Sequence, residues 1–428
     1  MFQRRLILVA LASLMASPAA YRCYDRLMTK APPVDAAMAQ EGKVLFDHEW
    51  TPNDPLAGGG DGLGPVFNAN SCVACHRQGG GGGGGPRENN VHVFTVRPNV
   101  SEMAAGGKAR QGVVHTQAVG PTFQESFGHV HPEMPIHVLP ISVGPVFQPI
   151  TFSGNSLPRG VDLSQRNTPA LFGAGLIDAI PDSDIIANER AQRLKWGLAT
   201  SQSKDLPVGR ALRMADGRIG RFGWKAQTVR LADFVRAACA NELGLGNPGQ
   251  AQPQPLGFPS YQPRGLDLTD AQCDQLTQFI VSLPRPVERT PLDADLHRKA
   301  RAGKSLFARI GCTHCHVADV GNVRGMYSDL LLHDMGQETE AGGNYTDQPL
   351  EEPAFKPGSG PFPAEWRTPP LWGVARSAPY MHDGRAVNLE HAISMHGGQG
   401  AKSAHNYASL PVDEQAQVIA FLMTLDTP

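Results

Sequence analysis

The chain has 428 residues, which at about 100–200 residues per domain allows two to four domains. With 41% hydrophobic and 18% charged residues it can bury a sizeable core, which excludes a largely disordered chain. Lys+Arg 38 against Asp+Glu 40 leaves a net charge of −2 and no basic blocks, so a nucleic-acid partner is not expected.

Met1–Ala20 reads as a signal peptide. Arg4 and Arg5 form a basic start, Leu6–Met15 an apolar stretch, and Ser17-Pro18-Ala19 supplies small residues for cleavage. An uncleaved anchor is the alternative. After this segment no apolar run is long enough to span a bilayer, so no stable membrane span is expected once the signal is removed. The expected location is the periplasm, where thiols can be oxidised and haem can be attached covalently.

Two segments then read C-x-x-C-H: Cys72-Val73-Ala74-Cys75-His76 and Cys312-Thr313-His314-Cys315-His316. This is the signature of c-type haem attachment. Two thiols one helical turn apart reach the two vinyl groups of one porphyrin, and the adjacent His falls beneath the iron. Cys72, Cys75, His76, Cys312, Cys315 and His316 are therefore expected to hold two haem c groups. Zinc would need a second Cys/His pair at finger spacing, which neither motif has. A thioredoxin-like dithiol would need a βαβ context, which is not visible. Of the other cysteines, Cys239 and Cys273 read either as a structural disulfide or as two buried thiols, and Cys23 receives no role.

The chain repeats itself. Gly42-Lys43-Val44-Leu45-Phe46 matches Gly303-Lys304-Ser305-Leu306-Phe307, each ahead of a haem motif. Thr168–Gly173 matches Thr368–Gly373, with Arg166 and Arg367 just upstream. Either Arg could pair bidentately with a haem propionate. An amphipathic stretch through Leu276, Phe279, Ile280 and Leu283, ended by Pro284 and Pro286, is matched by one from Leu410 through Val418, Phe421, Leu422 and Leu425. Each unit reads as helix, haem motif, Thr-Pro loop and closing helix. The expected fold is mainly α, with two cytochrome c-like domains in tandem: 35–286, enlarged by loops and short β-hairpins, and 291–428. The Pro-rich segment 284–291 would be a stiff spacer. In the enlarged domain the Gly79–Gly85 run reads as a flexible loop, Val91–Val96 as a strand, and His129–Pro140 as hairpins and loops.

Several segments then resemble one family. They are Asp61–Pro65, Gly175–Pro181, Gly220–Gln227, Tyr327–Gly336, Trp366–Gly373, Tyr380–Ala386 and His396-Gly397-Gly398. The sequence resembles the bacterial dihaem c-type oxidoreductases of the peroxidase and thiol oxidoreductase-like kind, relatives of dihaem cytochrome c peroxidases and, more distantly, of dihaem rubber oxygenases. The resemblance implies a catalytic N-terminal haem that cleaves the O–O bond of peroxide. It also implies an electron-transfer C-terminal haem fed by a small redox protein. A non-catalytic dihaem electron carrier and an oxygenase acting on an apolar substrate remain as alternatives.

The second ligands decide between these. By resemblance, His396 is expected on the second iron opposite His316, with Met395 next in line and His333 and Met335 behind. On the first haem, His92 is the candidate displaceable ligand, against an open site; His115, His129 and His131 are further histidines in reach. Trp224 reads as an electron relay between the haems or as a core aromatic. His382-Asp383 reads as an acid/base pair or as a hydrogen-bonded turn. Glu125 and Glu133 are candidate proton shuttles, and Ca2+ is a possible further ion.

Overall fold

The structure is a computed structural model that describes residues 32–99, 101, 106, 109–123, 129–131, 157–197, 206–337 and 360–428. Two crossed helix pairs frame it. In the first, α1 (Ala36–Asp47) packs on α6 (Asp270–Ser282). Asp35 caps α1 by accepting from the Ala37 and Met38 amides, and Thr269 with Gln272 forms a reciprocal capping box on α6. In the second pair, α7 (Ala294–Arg309), capped by Asp293, packs on α10 (Val412–Leu422). Between them in chain order lie α2 (Cys72–Cys75), α3 (Ala174–Asp178), α4 (Asp182–Lys195) and α5 (Leu231–Leu243), then α8 (Leu389–Ser394) and α9 (Ala401–Ala408) before α10.

The duplicated glycines explain the two crossings. A Cβ at Gly42 would lie 1.9 Å from the Gln275 carbonyl oxygen, and one at Gly303 would lie 1.7 Å from that of Gln417. The backbones touch there, so only glycine fits. Just beyond each crossing the duplicated Phe meets a Phe of the partner helix, Phe46 with Phe279 at 4.9 Å and Phe307 with Phe421 at 5.4 Å between ring centres. The same Phe faces the haem-motif histidine, at 6.2 Å for Phe46 and His76 and 6.3 Å for Phe307 and His316.

The largest core gathers Phe46, Trp50, Ile177, Leu276 and Phe279 with Met326, Leu330, Leu331 and Trp372. It therefore draws on both halves of the chain. Trp372, from the second Thr-Pro loop, lies so close to Gly173 of the first that a Cβ there would come within 2.6 Å of its ring. A smaller core around Leu306, Tyr327, Val418 and Phe421 serves the second helix pair.

Sheet structure is sparse. The expected strand is β2 (Val91–Val96), central in a three-stranded antiparallel sheet between β3 (Arg110–Val114) and β5 (Val161–Arg166). Two-residue strands β1 (Val66–Phe67) and β4 (Gln117–Ala118) pair nearby. The linker differs from a plain spacer, because β6 (Val287–Glu288) pairs with β9 (Leu425–Asp426) and ties it to the chain end. Leu425, read as helical from its spacing, is drawn into that strand. Finally, β7 (Leu332–Asp334) pairs with β8 (Glu365–Arg367). No helix among the described residues is long and apolar enough to cross a membrane.

Candidate haem sites

Both C-x-x-C-H motifs form a single helical turn, α-helical at Cys72–Cys75 and 3-10 at Cys312–His314. In each, the histidine amide donates back to the carbonyl of the first cysteine, His76 to Cys72 at 3.0 Å and His316 to Cys312 at 2.9 Å. This closes one turn and sets both thiols on one side. Burial pushes the Cys72, Cys75 and Cys312 thiols up to about 12. Such thiols stay protonated at neutral pH, the opposite of the lowered values that reactive dithiols and zinc thiolates need.

At the first motif the glycine run is not a flexible loop. It closes around His76: Gly82 N donates to His76 O at 3.0 Å, and the ring Nδ1 of His76 meets Gly83 O at 3.1 Å. A Cβ at Gly83 would lie 1.7 Å from Gln78 O, and one at Gly85 would lie 2.6 Å from Cys75 O. At Gly83 and Gly85 the absence of a side chain is therefore required by close backbone approach. With Nδ1–H given to a carbonyl, the lone pair of His76 sits on Nε2, the tautomer an iron ligand needs. Burial brings the imidazole down to about 4, so it is neutral.

The second motif repeats this arrangement. His316 Nδ1 donates to Tyr327 O at 2.9 Å, and burial lowers its pKa to about 4. His396, just past α8, donates its Nδ1–H to Ala392 O at 2.8 Å. The two rings face each other with centres 6.5 Å apart. A metal–imidazole bond of about 2.0–2.1 Å, plus about 1.1 Å from ring centre to nitrogen, puts two trans imidazoles roughly 6.3 Å apart. The pair thus fits one iron. A cavity of about 320 Å³ opens here, bordered by Cys312, Cys315, His316, Met335 and His396. His333 borders it too, but both its ring nitrogens are engaged, with Asp329 Oδ2 and Gln399 Oε1 at 2.8 Å each.

The same cavity runs on to Phe172, Phe222, Trp224 and Phe234. Phe222 belongs to the large core against which Cys72 and Val73 pack. Trp224 stands where the two halves meet: its Nε1–H donates to Asn167 O at 2.9 Å, and its own carbonyl accepts from Arg367 N at 2.9 Å. Arg166 and Arg367 are both buried rather than surface-paired, and burial lowers both to about 10. Arg367 also donates Nε–H to Gly223 O at 2.9 Å.

Residues 148–425 match the family model described as "Di-haem oxidoreductase, putative peroxidase". The chain belongs to this di-haem oxidoreductase family. Membership implies two haem groups, in keeping with the two C-x-x-C-H motifs. Among solved structures, the chain is similar to the diheme peroxidase BthA from Burkholderia thailandensis. The identity is 14%, covering 92% of this chain and 86% of that one, with a TM-score of 0.42. It is also similar to hydrazine synthase from Kuenenia stuttgartiensis, with 15% identity, 92% and 90% coverage and a TM-score of 0.38. A MauG-like protein associated with microbial copper homeostasis shares 19% identity over 59% of this chain and 90% of that one, with a TM-score of 0.32. A search of the curated proteins finds no match.

Other expectations for this di-haem oxidoreductase are met or revised as follows. His92 lies not on a loop but within β2, opposite Val114 and Gln165, and burial lowers it to about 4. His115 Nε2 is engaged by Asn241 O at 2.8 Å, and His129 packs its ring on Phe258. His382 and Asp383 do not form an acid/base pair. His382 stacks flat on Trp366 at 3.6 Å, its Nε2 is 3.7 Å from Asp383, and Asp383 is taken by Arg385 at 2.6 Å. The turn reading holds. Cys239 and Cys273 are two free, buried thiols and not a disulfide. Met1–Ala20, Cys23, Glu125, Glu133 and residues 132–140 lie outside the described residues.

Sequence reasoning missed Lys225. This buried ammonium donates to the Pro363 and Glu365 carbonyls at 2.7 and 2.6 Å and sits 3.7 Å over the Trp366 ring. A lysine beside Trp224 carries no sequence signal of burial, because its partners lie far along the chain.

Proposed function

We propose that the chain is an exported, periplasmic di-haem c-type oxidoreductase that reduces peroxide. Cys72 and Cys75 would hold one haem and Cys312 and Cys315 the other through thioether bonds, with His76 and His316 as proximal ligands. The observation that carries this reading is the 6.5 Å spacing of His316 and His396, each with Nδ1 committed to a carbonyl. An iron with imidazoles on both faces has no position for substrate. Substrate chemistry is then left to the first site, and the second serves as the electron port.

The cofactor would supply reductive O–O cleavage at an open iron position, taking H2O2, two electrons and two protons to two waters. The protein residues do the rest. His76 and His316, fixed by Gly83 and Tyr327, orient the rings beneath each group. Arg367, buried and bordering the cavity, and Arg166, buried against Trp366, are proposed to meet haem propionates. Trp224, pinned by Asn167, borders the cavity at the second motif and is proposed as the relay. A small redox protein would deliver the electrons. The domain division at residues 286–291 belongs to the same proposal.

The test is an anaerobic titration of fully reduced holoprotein with H2O2. One equivalent should oxidise both haems. If both stay ferrous with unchanged low-spin spectra, the chain is an electron carrier and the peroxidase reading fails.

A further inference from the structure

A buried polar network behind the second motif has no place in the mechanism so far. His333 on β7 is 2% exposed and Asp329 is fully buried. His333 Nε2 lies 2.8 Å from Asp329 Oδ2. That carboxylate also accepts from Gln192 Nε2 at 2.6 Å and from Leu331 N at 2.9 Å. Gln192, on α4, anchors the network to the haem motif by donating to His314 O at 3.0 Å and accepting from Gly209 N at 2.8 Å.

The other face of His333 fixes its protonation. Gln399 donates its Nε2–H to Val208 O at 3.3 Å, which turns its Oε1 towards His333 Nδ1 at 2.8 Å. Nδ1 must therefore carry a hydrogen. Nε2 faces a carboxylate that already collects two other donors, so it carries one as well. Both ring nitrogens donate, and the ring is an imidazolium. Burial alone would discharge it, but the Asp329 carboxylate at 2.8 Å opposes that and favours the charged ring. The ring cannot drift. A Cβ at Gly209 would lie 2.6 Å from His333 Nε2, so the backbone there packs directly on the imidazole. The Nδ1 edge faces Cys315 Sγ at 3.6 Å.

We infer that His333 is a positioning residue for electron transfer: a fixed imidazolium whose positive edge lies against the Cys315 sulfur and favours the reduced form of the second haem. Asp329 acts through it by holding that charge in place. This rests on a haem being attached at Cys312 and Cys315. A bis-imidazole iron is a poor electron acceptor for its class, and a nearby fixed cation offsets that by stabilising the electron-rich state.

The test uses holoprotein variants His333→Gln and Asp329→Asn and the double variant. The readout is the midpoint potential of the low-spin haem by spectroelectrochemistry. His333→Gln should lower the potential. Asp329→Asn should lower it too, because the ring loses its proton once the carboxylate is gone. Removing a negative charge that acted on the haem directly would raise it. The double variant should shift no further than either single one, since both remove the same charge. An unchanged potential in His333→Gln, or an upward shift in Asp329→Asn, overturns the inference. If His333→Gln does not fold, the sign of the Asp329→Asn shift alone decides. Haem content and spin state of the unmutated protein report separately on whether the second haem is present at all.

Discussion

Replacing Gly303 by Ala tests whether the duplicated glycines set the two haem sites. The new methyl would sit 1.7 Å from Gln417 O and 3.0 Å from Val418 N, where ordinary contact begins at 3.4 Å. Helices α7 and α10 must therefore part by about 1.7 Å. A gap of 0.5–1 Å already forfeits a quarter to a half of a dispersion contact. The contacts at risk are Phe307 on Phe421, Leu306, Val418 and Leu422. Overpacking of this kind costs about 3 kcal/mol. At roughly 2–4 °C per kcal/mol, Tm should fall by about 6–12 °C. Phe307 also faces His316, so opening the pair should disturb the second haem's low-spin spectrum. Gly42→Ala, 1.9 Å from Gln275 O, should destabilise to a similar degree and disturb the first haem instead. Thermal unfolding followed by far-UV circular dichroism, with optical spectra of each variant, reads both effects. A Gly303→Ala protein melting within about 2 °C of the parent, with an unaltered second haem, would refute the reasoning.

Other outcomes follow from the same geometry. His396→Ala should convert the second haem to a high-spin spectrum, and an unchanged low-spin signal would remove it as a ligand. Cys72→Ser with Cys75→Ser should leave one haem per chain by pyridine haemochrome, and two would contradict the attachment sites. Trp224→Phe keeps an aromatic ring but loses the indole and its bond to Asn167 O; it should retain both haems and slow oxidation of the second haem by peroxide, and an equal rate would exclude a relay. Iodoacetamide should label Cys239 and Cys273 in denatured holoprotein without reductant, whereas labelling only after reduction would mean that they are bonded.

Much of the frame was legible because its signals are local. The C-x-x-C-H motifs, the G-x-x-L-F helices, the closing helix through Leu276, Phe279 and Ile280 and the strand at Val91–Val96 each declare themselves within a few residues. The duplication added a check, since two copies of one pattern are hard to produce by chance. What stayed hidden depends on distant partners. Nothing near His333 reveals Gln399, and nothing near Lys225 reveals the carbonyls of Pro363 and Glu365. The glycine run misled for a related reason: composition reports freedom of the chain, whereas here Gly83 and Gly85 pass too close to the Gln78 and Cys75 carbonyls for any side chain, and the turn they form closes on His76. His382-Asp383 looks like chemistry in sequence, but Trp366 and Arg385 take each member separately.

Low-temperature EPR of the ferric holoprotein, with spin quantitation against total haem iron, tests the central claim most directly. The account expects equal amounts of two species: a low-spin signal from the iron between His316 and His396, and a high-spin signal from the iron above His76. Two low-spin irons that ignore cyanide, or a protein without haem iron, would contradict it.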